Sequence, residues 1–329
     1  MNREVVLARA PTDRPMATDF EVADRPEPEA RAGLLAVRSL YQALDPYVGT
    51  RLRGRHMGEP APKPGESLPG YCVGEVMASV DAAFAPGDMV VGEMGWAERG
   101  LMPAAAARKV DGGLPPAAHL GILGLPGLTA WAGVTQLAKV RPGDVFSVDA
   151  AAGAVGGVAG QIALALGARV VGIAGGAEKC ALVRDSYGFD AAIDYRREGW
   201  IAQYDEATGS GPTVHFENVG LSVLLPVLQR LQPYGRIVLC GMAEHYHGDG
   251  PPAQMPVGAV IGKRASVHGL VVYDFFPRLA EWVEMARPWI TEGRLTLAED
   301  IAEGVEEAPS QFEKLLGGRN HGRTLVRMS

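Results

Sequence analysis

The chain has 329 residues, 47% of them hydrophobic and 21% charged, an ordinary soluble composition with room for two domains of substantial core. Its 31 Lys and Arg against 38 Asp and Glu give a formal net charge of -7. That balance argues against a nucleic-acid partner, which needs a basic surface to meet its phosphates.

From the start, Met1 to Ala10 holds no signal-peptide core, and no uninterrupted apolar run is long enough to span a membrane, so a cytoplasmic protein is expected. Val5 to Ala8, Leu34 to Leu40, Gly74 to Val80 and Met89 to Gly92 read as short strands. Turns such as Arg25 to Pro28 and Pro86-Gly87-Asp88 separate them. Gly54 to Pro69 carries four prolines and no hydrophobic period, which predicts a long surface loop, either flanking a binding site or a plain insertion.

Beyond Leu120 the texture changes to alternating strands and helices. Gly121 to Leu137 reads as a loop entering a helix, and Pro142-Gly143-Asp144 as a turn. Val145 to Val148 suits a strand buried on both faces. Val155, Val158, Ala159, Ile162 and Leu166 then fall at helical spacing, Gly167 is a stop, and Ala168 to Ala174 restarts the sheet. Further strands are expected at Ala191 to Asp194, Thr213 to Phe216, Arg236 to Cys240 and Ser266 to Val272. This alternation predicts a doubly wound parallel sheet of the α/β class, with ligands beyond the carboxyl ends of its strands, where Asn218-Val219-Gly220 and Gly241-Met242 fall. After a helix over Pro277 to Glu292, the tail from Leu297 to Arg327 is too short to fold alone. It ends in an apolar strand, Thr324 to Val326, that returns to the first domain. The expected division is residues 1–122 with 298–329, and 123–297.

In the first strand-helix turn, Ala151-x-Gly153-x-x-Gly156 is the dinucleotide fingerprint with its first Gly replaced by Ala. Small residues there let the backbone approach a pyrophosphate, whose charge the helix N-terminal amides meet. An NAD site places an acid about 20 residues on, at the end of the second strand. Here Ala174, Gly175 and Gly176 stand at that place, with Lys179 a few residues later to pair with a 2′-phosphate, which favours NADPH. Glu178 beside Lys179 works against that pairing. Catalytic zinc needs three Cys, His or carboxylate ligands, and no such set is visible. Cys72, Cys180 and Cys240 are odd in number and far apart, which fits reduced thiols, and His245-x-His247 in a Gly/Pro-rich loop is more often solvated than ligating. No metal is expected.

Seven blocks then carry a family resemblance: Leu44 to Val48 (LDPYV), Gly124 to Trp131 (GLPGLTAW), Ala150 to Gln161 (AAAGAVGGVAGQ), Val170 to Cys180 (VVGIAGGAEKC), Glu217 to Gly220 (ENVG), Cys240 to Tyr246 (CGMAEHY) and Asn320 to Arg327 (NHGRTLVR). In that order along nearly the whole chain, they resemble the zinc-independent medium-chain reductases, the group of leukotriene B4 dehydrogenases, prostaglandin reductases and alkenal double-bond reductases, with the bacterial curcumin reductase branch most alike. The resemblance implies a β-rich GroES-like catalytic domain, a Rossmann domain and a homodimer. It places Gly153, Ala154, Val155, Gly156 and Gly157 on the pyrophosphate, Lys179 and Tyr195 on the 2′-phosphate, and Asn218 near the ribose. Cys240, Gly241, Met242, Tyr246, Leu270, Val271, Val272 and Asn320 would line the nicotinamide half, and Tyr47, Tyr246 and Tyr273 would face substrate. The chain departs from the family at Val48, Gly49 and Thr50, where Met and Arg commonly follow the Asp-Pro-Tyr, and at Ala152, where many relatives have Ser.

The implied activity is NADPH-dependent reduction of a carbon-carbon double bond conjugated to a carbonyl. Hydride added at the β-carbon leaves negative charge on the carbonyl oxygen, which needs a hydrogen-bond donor, and the α-carbon then takes a proton. Tyr246 is the candidate donor, since a phenol of ordinary pKa, about 10, stays protonated at neutral pH. A quinone reductase and a non-catalytic NADPH-binding protein remain as alternatives.

Overall fold

The computed structural model describes residues 2–110, 112–246 and 253–328, which divide into two compact units. One comprises Met1–Leu120 and Glu299–Ser329, with Tyr246–Asp249 grouped to it; the other comprises Gly121–His245 and Gly250–Ala298.

The first unit opens with β1 (Asn2–Leu7) and β2 (Phe20–Arg25), an antiparallel pair. β3 (Leu34–Ala43) is followed by a short helix α1 (Tyr47–Arg51), then β4 (Tyr71–Ala78), β5 (Met89–Glu93), β6 (Arg99–Pro103) and β7 (Arg108–Lys109). The stretch between α1 and β4 is turns and extended chain, as its four prolines predict. β3 pairs antiparallel with β4 and β6, and one fully buried cluster of Leu35, Val37, Cys72, Val76, Val90 and Met102 packs beneath them.

The second unit begins at α2 (Leu125–Trp131), which continues as a π-helical stretch to Leu137. Next come β8 (Val145–Val148), α3 (Ala154–Ala165), β9 (Arg169–Ala174), α4 (Ala177–Ala181), β10 (Ala191–Asp194), α5 (Trp200–Thr208), β11 (Val214–Glu217), α6 (Leu221–Arg230), β12 (Arg236–Leu239), α7 (Val257–Lys263), β13 (Ser266–Gly269) and α8 (Leu279–Thr291). All six strands run parallel in the order β10-β9-β8-β11-β12-β13. That order reverses direction between β8 and β11, the switch point at which doubly wound sheets bind nucleotides. Phe146, Val148, Val170, Val171 and Phe216 are wholly buried, each contributing about 1.5–3 kcal/mol of apolar transfer if fully exposed on unfolding.

The chain then returns to the first unit through β14 (Glu299–Glu303), α9 (Ala308–Leu316) and β15 (Arg323–Arg327), giving a seven-stranded sheet in the order β14-β15-β3-β4-β5-β7 with β6 alongside β3. The buried Arg323 guanidinium pairs with Asp45 there.

Four strands escaped the sequence reading. β2 and β14 are rich in charge, FEVADR and EDIAE, and largely solvent-facing, so neither shows an apolar run. β6 and β7 are short, and pairing with β3 and β5 decides them rather than propensity. Two expected strands end early. Ser79 and Asp81 form a side-chain-bonded turn that stops β4 at Ala78 rather than Val80. β13 stops at Gly269 rather than Val272, because a 3-10 helix runs over Val272–Arg278, although the Leu270 N-H still bonds Leu239 O at 2.9 Å. No helix among the described residues is long and apolar enough to cross a membrane.

Candidate active site

Every strand of the parallel sheet contributes predicted site residues at its carboxyl end. Gly153 to Gly157 follow β8, Lys179 follows β9, Tyr195 follows β10, Asn218 follows β11, Cys240 to Met242 follow β12, and Leu270 to Val272 follow β13.

The turn after β8 is tight. Ala150 adopts φ 43° and its carbonyl accepts the Gly153 N-H at 2.8 Å, which turns the chain into α3. A Cβ on Gly156 would lie 2.6 Å from Ala150 O and 2.8 Å from Asp149 O, so the helix can meet the strand end only because that residue has no side chain. Gly157 is similarly closed off by the Tyr187 ring, 2.7 Å from its would-be Cβ. No side chain among the described residues caps the N-terminus of α3, and Gly153, Ala154 and Val155 are only half-buried. Three or four amides of a helix N-terminus lack intrahelical partners, so this turn offers N-H groups to an anion. The donor set fits a dinucleotide's pyrophosphate.

Behind that turn lies a buried polar ladder that the sequence reading missed. Ser147 and Asp149 alternate with the apolar residues of β8 and its end, and His215 and Glu217 do the same on the neighbouring β11, where His215 registers opposite Ser147. All four are wholly buried. The Tyr204 hydroxyl donates to Ser147 Oγ at 2.8 Å, and the His215 ring bridges Ser147 Oγ and Glu217 Oε2, each at 3.1 Å. Glu217 Oε1 accepts the N-H groups of Val219 (2.7 Å) and Gly220 (2.6 Å), and Asp149 Oδ1 accepts that of Asn218 at 2.6 Å. The signal was present as i, i+2 polar residues inside two otherwise apolar strands.

Asp149 Oδ2 has no hydrogen-bond partner among the described residues. Burial, then the charge of Glu217, pushes the Asp149 carboxyl well above the ordinary range, and burial raises Glu217 and lowers His215. Ligand atoms of Asp149, His215 and Glu217 lie within 4.8 Å of one another, close enough for a metal ion. The raised carboxyls and the lowered imidazole fit a smaller occupant, a proton held on Asp149 beside Glu217 with a neutral His215.

The ladder supports the expected cofactor wall. Asn218 Nδ2 donates to Asp149 O at 3.1 Å, the Cys240 and Gly241 N-H groups both bond Glu217 O at 2.9 and 3.1 Å, and Ala243 N-H bonds Asn218 O at 3.2 Å. Residues 217–220 and 240–243 are thus one hydrogen-bonded surface. Burial, then the nearby Asp149 and Glu217, pushes the Cys240 thiol up to about 12, so it stays neutral and is no nucleophile. Tyr246, half-buried, follows the 3-10 turn Ala243–His245. His247 lies outside the described residues. Val271 is 38% exposed, and Val272 opens the 3-10 helix in which Tyr273 meets Phe276 edge-on, with ring centroids 5.4 Å apart.

In the other unit, Tyr47 starts α1 and stacks at 4.9 Å on His56 from the Pro-rich stretch. Asn320 lies between α9 and β15 with Nδ2 donating to Gly322 O at 3.2 Å; the same loop is tied by His321 N-H to Asp300 Oδ2 at 3.2 Å.

A six-stranded parallel sheet in this order, with an uncapped glycine turn at its switch point and no acid at the end of β9, defines a dinucleotide-binding unit, joined here to a β-rich partner unit. Residues 3–110 match the family described as the N-terminal domain of oxidoreductase, and residues 154–290 the one described as zinc-binding dehydrogenase. The chain is 35% identical to the 2-alkenal reductase (NADP(+)-dependent) of Nicotiana tabacum over all of this chain and 98% of that protein. It is 33% identical to the NADPH-dependent curcumin reductase of Escherichia coli over 100% and 97%. The crystal structure of CurA from Vibrio vulnificus in complex with NADPH superposes with a TM-score of 0.92 at 33% identity, covering 99% of each chain. The chain therefore belongs to the medium-chain dehydrogenase/reductase family, in its group of alkenal, curcumin and prostaglandin reductases.

Proposed function

We propose that this chain is a cytoplasmic, zinc-free, NADPH-dependent reductase of carbon-carbon double bonds conjugated to a ketone or aldehyde. The observation that carries the reading is the uncapped N-terminal turn of α3 beside an acid-free end of β9, in a chain collinear with 2-alkenal and curcumin reductases. When bound, NADPH supplies the hydride. Gly153, Ala154, Val155, Gly156 and Gly157 would hold its pyrophosphate, Lys179 and Tyr195 its 2′-phosphate, and Asn218 its ribose. The stretches 240–242 and 270–272, with Asn320, would line its nicotinamide half.

The protein's own chemistry is then limited to orientation and one hydrogen bond. Charge developing on the substrate carbonyl oxygen takes a donor from Tyr246, while Tyr47 and Tyr273 shape the surroundings. The neutral Cys240 thiol adds no charge beside the ring.

Association as a homodimer belongs to the same reading. Among the described residues β13 ends the parallel sheet and pairs only with β12, leaving one edge of its backbone open. Val267 on it, and Val257 and Ile261 on α7, are 36%, 67% and 69% exposed. An open strand edge flanked by exposed apolar residues is a template for a second copy about a two-fold axis.

The test of function is NADPH consumption across a panel of enals, enones and quinones. Turnover of enals and enones supports the proposal. Turnover of quinones alone makes the protein a quinone reductase, and turnover of nothing makes it a binding protein.

A further inference from the structure

A cation that the sequence reading passed over stands at the carboxyl ends of β9 and β10. Asp194, the last residue of β10, accepts the Gly176 N-H at 2.8 Å and the Arg196 N-H at 3.1 Å through the same Oδ1, and Tyr195 N-H bonds Ala174 O at 3.2 Å. The two turns are thereby one unit. The Arg196 side chain folds over the glycines that end β9: a Cβ on Gly175 would lie 2.8 Å from its Nε, and one on Gly176 3.8 Å from its Nη1. The Tyr195 ring stands 5.9 Å from its Cζ.

Its neighbours are already engaged. Arg197 faces Asp194 at 3.7 Å and Arg184 pairs with Asp185 at 2.8 Å, whereas Arg196 is exposed and forms no ion pair among the described residues. Asp194 stands at this edge too, and its Oδ1 is already engaged by two backbone amides.

We propose that Arg196 reads the 2′-phosphate of NADPH and sets the preference over NADH. In one known arrangement, nucleotide sheets accept the extra phosphate with an arginine near the end of the second strand in place of the ribose-binding acid. A guanidinium is permanently charged and presents a fork of N-H groups to two phosphate oxygens, which a single lysine does not. Gly175 belongs to the same device, because any side chain there would displace the guanidinium.

The inference rests on NADPH as the cofactor, so the experiment measures binding as well as preference. Dissociation constants are taken for NADPH, NADH, 2′,5′-ADP and AMP with the unaltered protein, Arg196→Gln and Arg196→Lys. Arg196→Gln should weaken NADPH and 2′,5′-ADP by about 10- to 100-fold and leave NADH and AMP within about twofold, as expected for loss of a charged hydrogen-bond pair. Arg196→Lys should recover part of that loss, with unchanged melting temperature in both variants. Unchanged NADPH affinity in Arg196→Gln, or equal losses for NADPH and NADH, overturns the assignment. An unaltered protein that binds NADH as tightly as NADPH overturns the cofactor reading itself, and this inference with it.

Discussion

Tyr246 is the residue on which the proposed chemistry turns. Replacing it with Phe keeps the ring and removes the donor, so single-turnover reduction of an enone with NADPH saturating should fall by about 10²- to 10³-fold while NADPH affinity holds. Hydride transfer at the unaltered rate would reduce Tyr246 to a wall of the pocket. At this scale the sequence was readable where backbone geometry forces a residue type: Gly156 has two carbonyl oxygens where its side chain would be. It was unreadable where a role comes from a neighbour in space. Arg196 looks like any surface arginine until Asp194 draws it over the end of a strand about 20 residues earlier in the chain.

Among the elements, the pair β8 and β11 carries the most consequential hidden feature. Asp149 holds its proton in the folded protein to well above the ordinary carboxyl range, whereas in the unfolded chain it ionises near pH 4. Unfolding therefore releases a proton as pH rises from that value towards the folded pKa, and this group's contribution to stability falls across that window. Asn in place of Asp149 is a neutral isostere that removes the titrating proton. Urea unfolding at pH 5 and pH 8 should show Asp149→Asn gaining on the unaltered protein by about 1.4 kcal/mol for each pH unit over which the proton is held. Parallel pH profiles would place the proton elsewhere. The bounds of β8 to β12 were read to within a residue or two, since their apolar cores are largely buried and their turns rich in glycine and proline. β2 and β14 were not, because charged edge strands owe their form to a partner strand rather than to their own pattern.

For the whole molecule, the open edge of β13 predicts a dimer. Lysines in place of Val267 and Ile261 together should convert it to a monomer by light scattering at micromolar concentration, and an unaltered protein that is already monomeric there contradicts the reading. The two-unit architecture was legible from a run of short strands giving way to alternation near Leu120. The reaction was legible only through the blocks the chain shares with known reductases, because a nucleotide sheet fixes the cofactor and leaves the second substrate to loops. The measurement that bears most directly on the central claim is product analysis after reduction of a simple enone with NADPH carrying deuterium at nicotinamide C4. The expected product is the saturated ketone with deuterium at the β-carbon and its carbonyl intact. An allylic alcohol with deuterium on the carbonyl carbon, or recovery of unreacted enone while quinones are consumed, would contradict it.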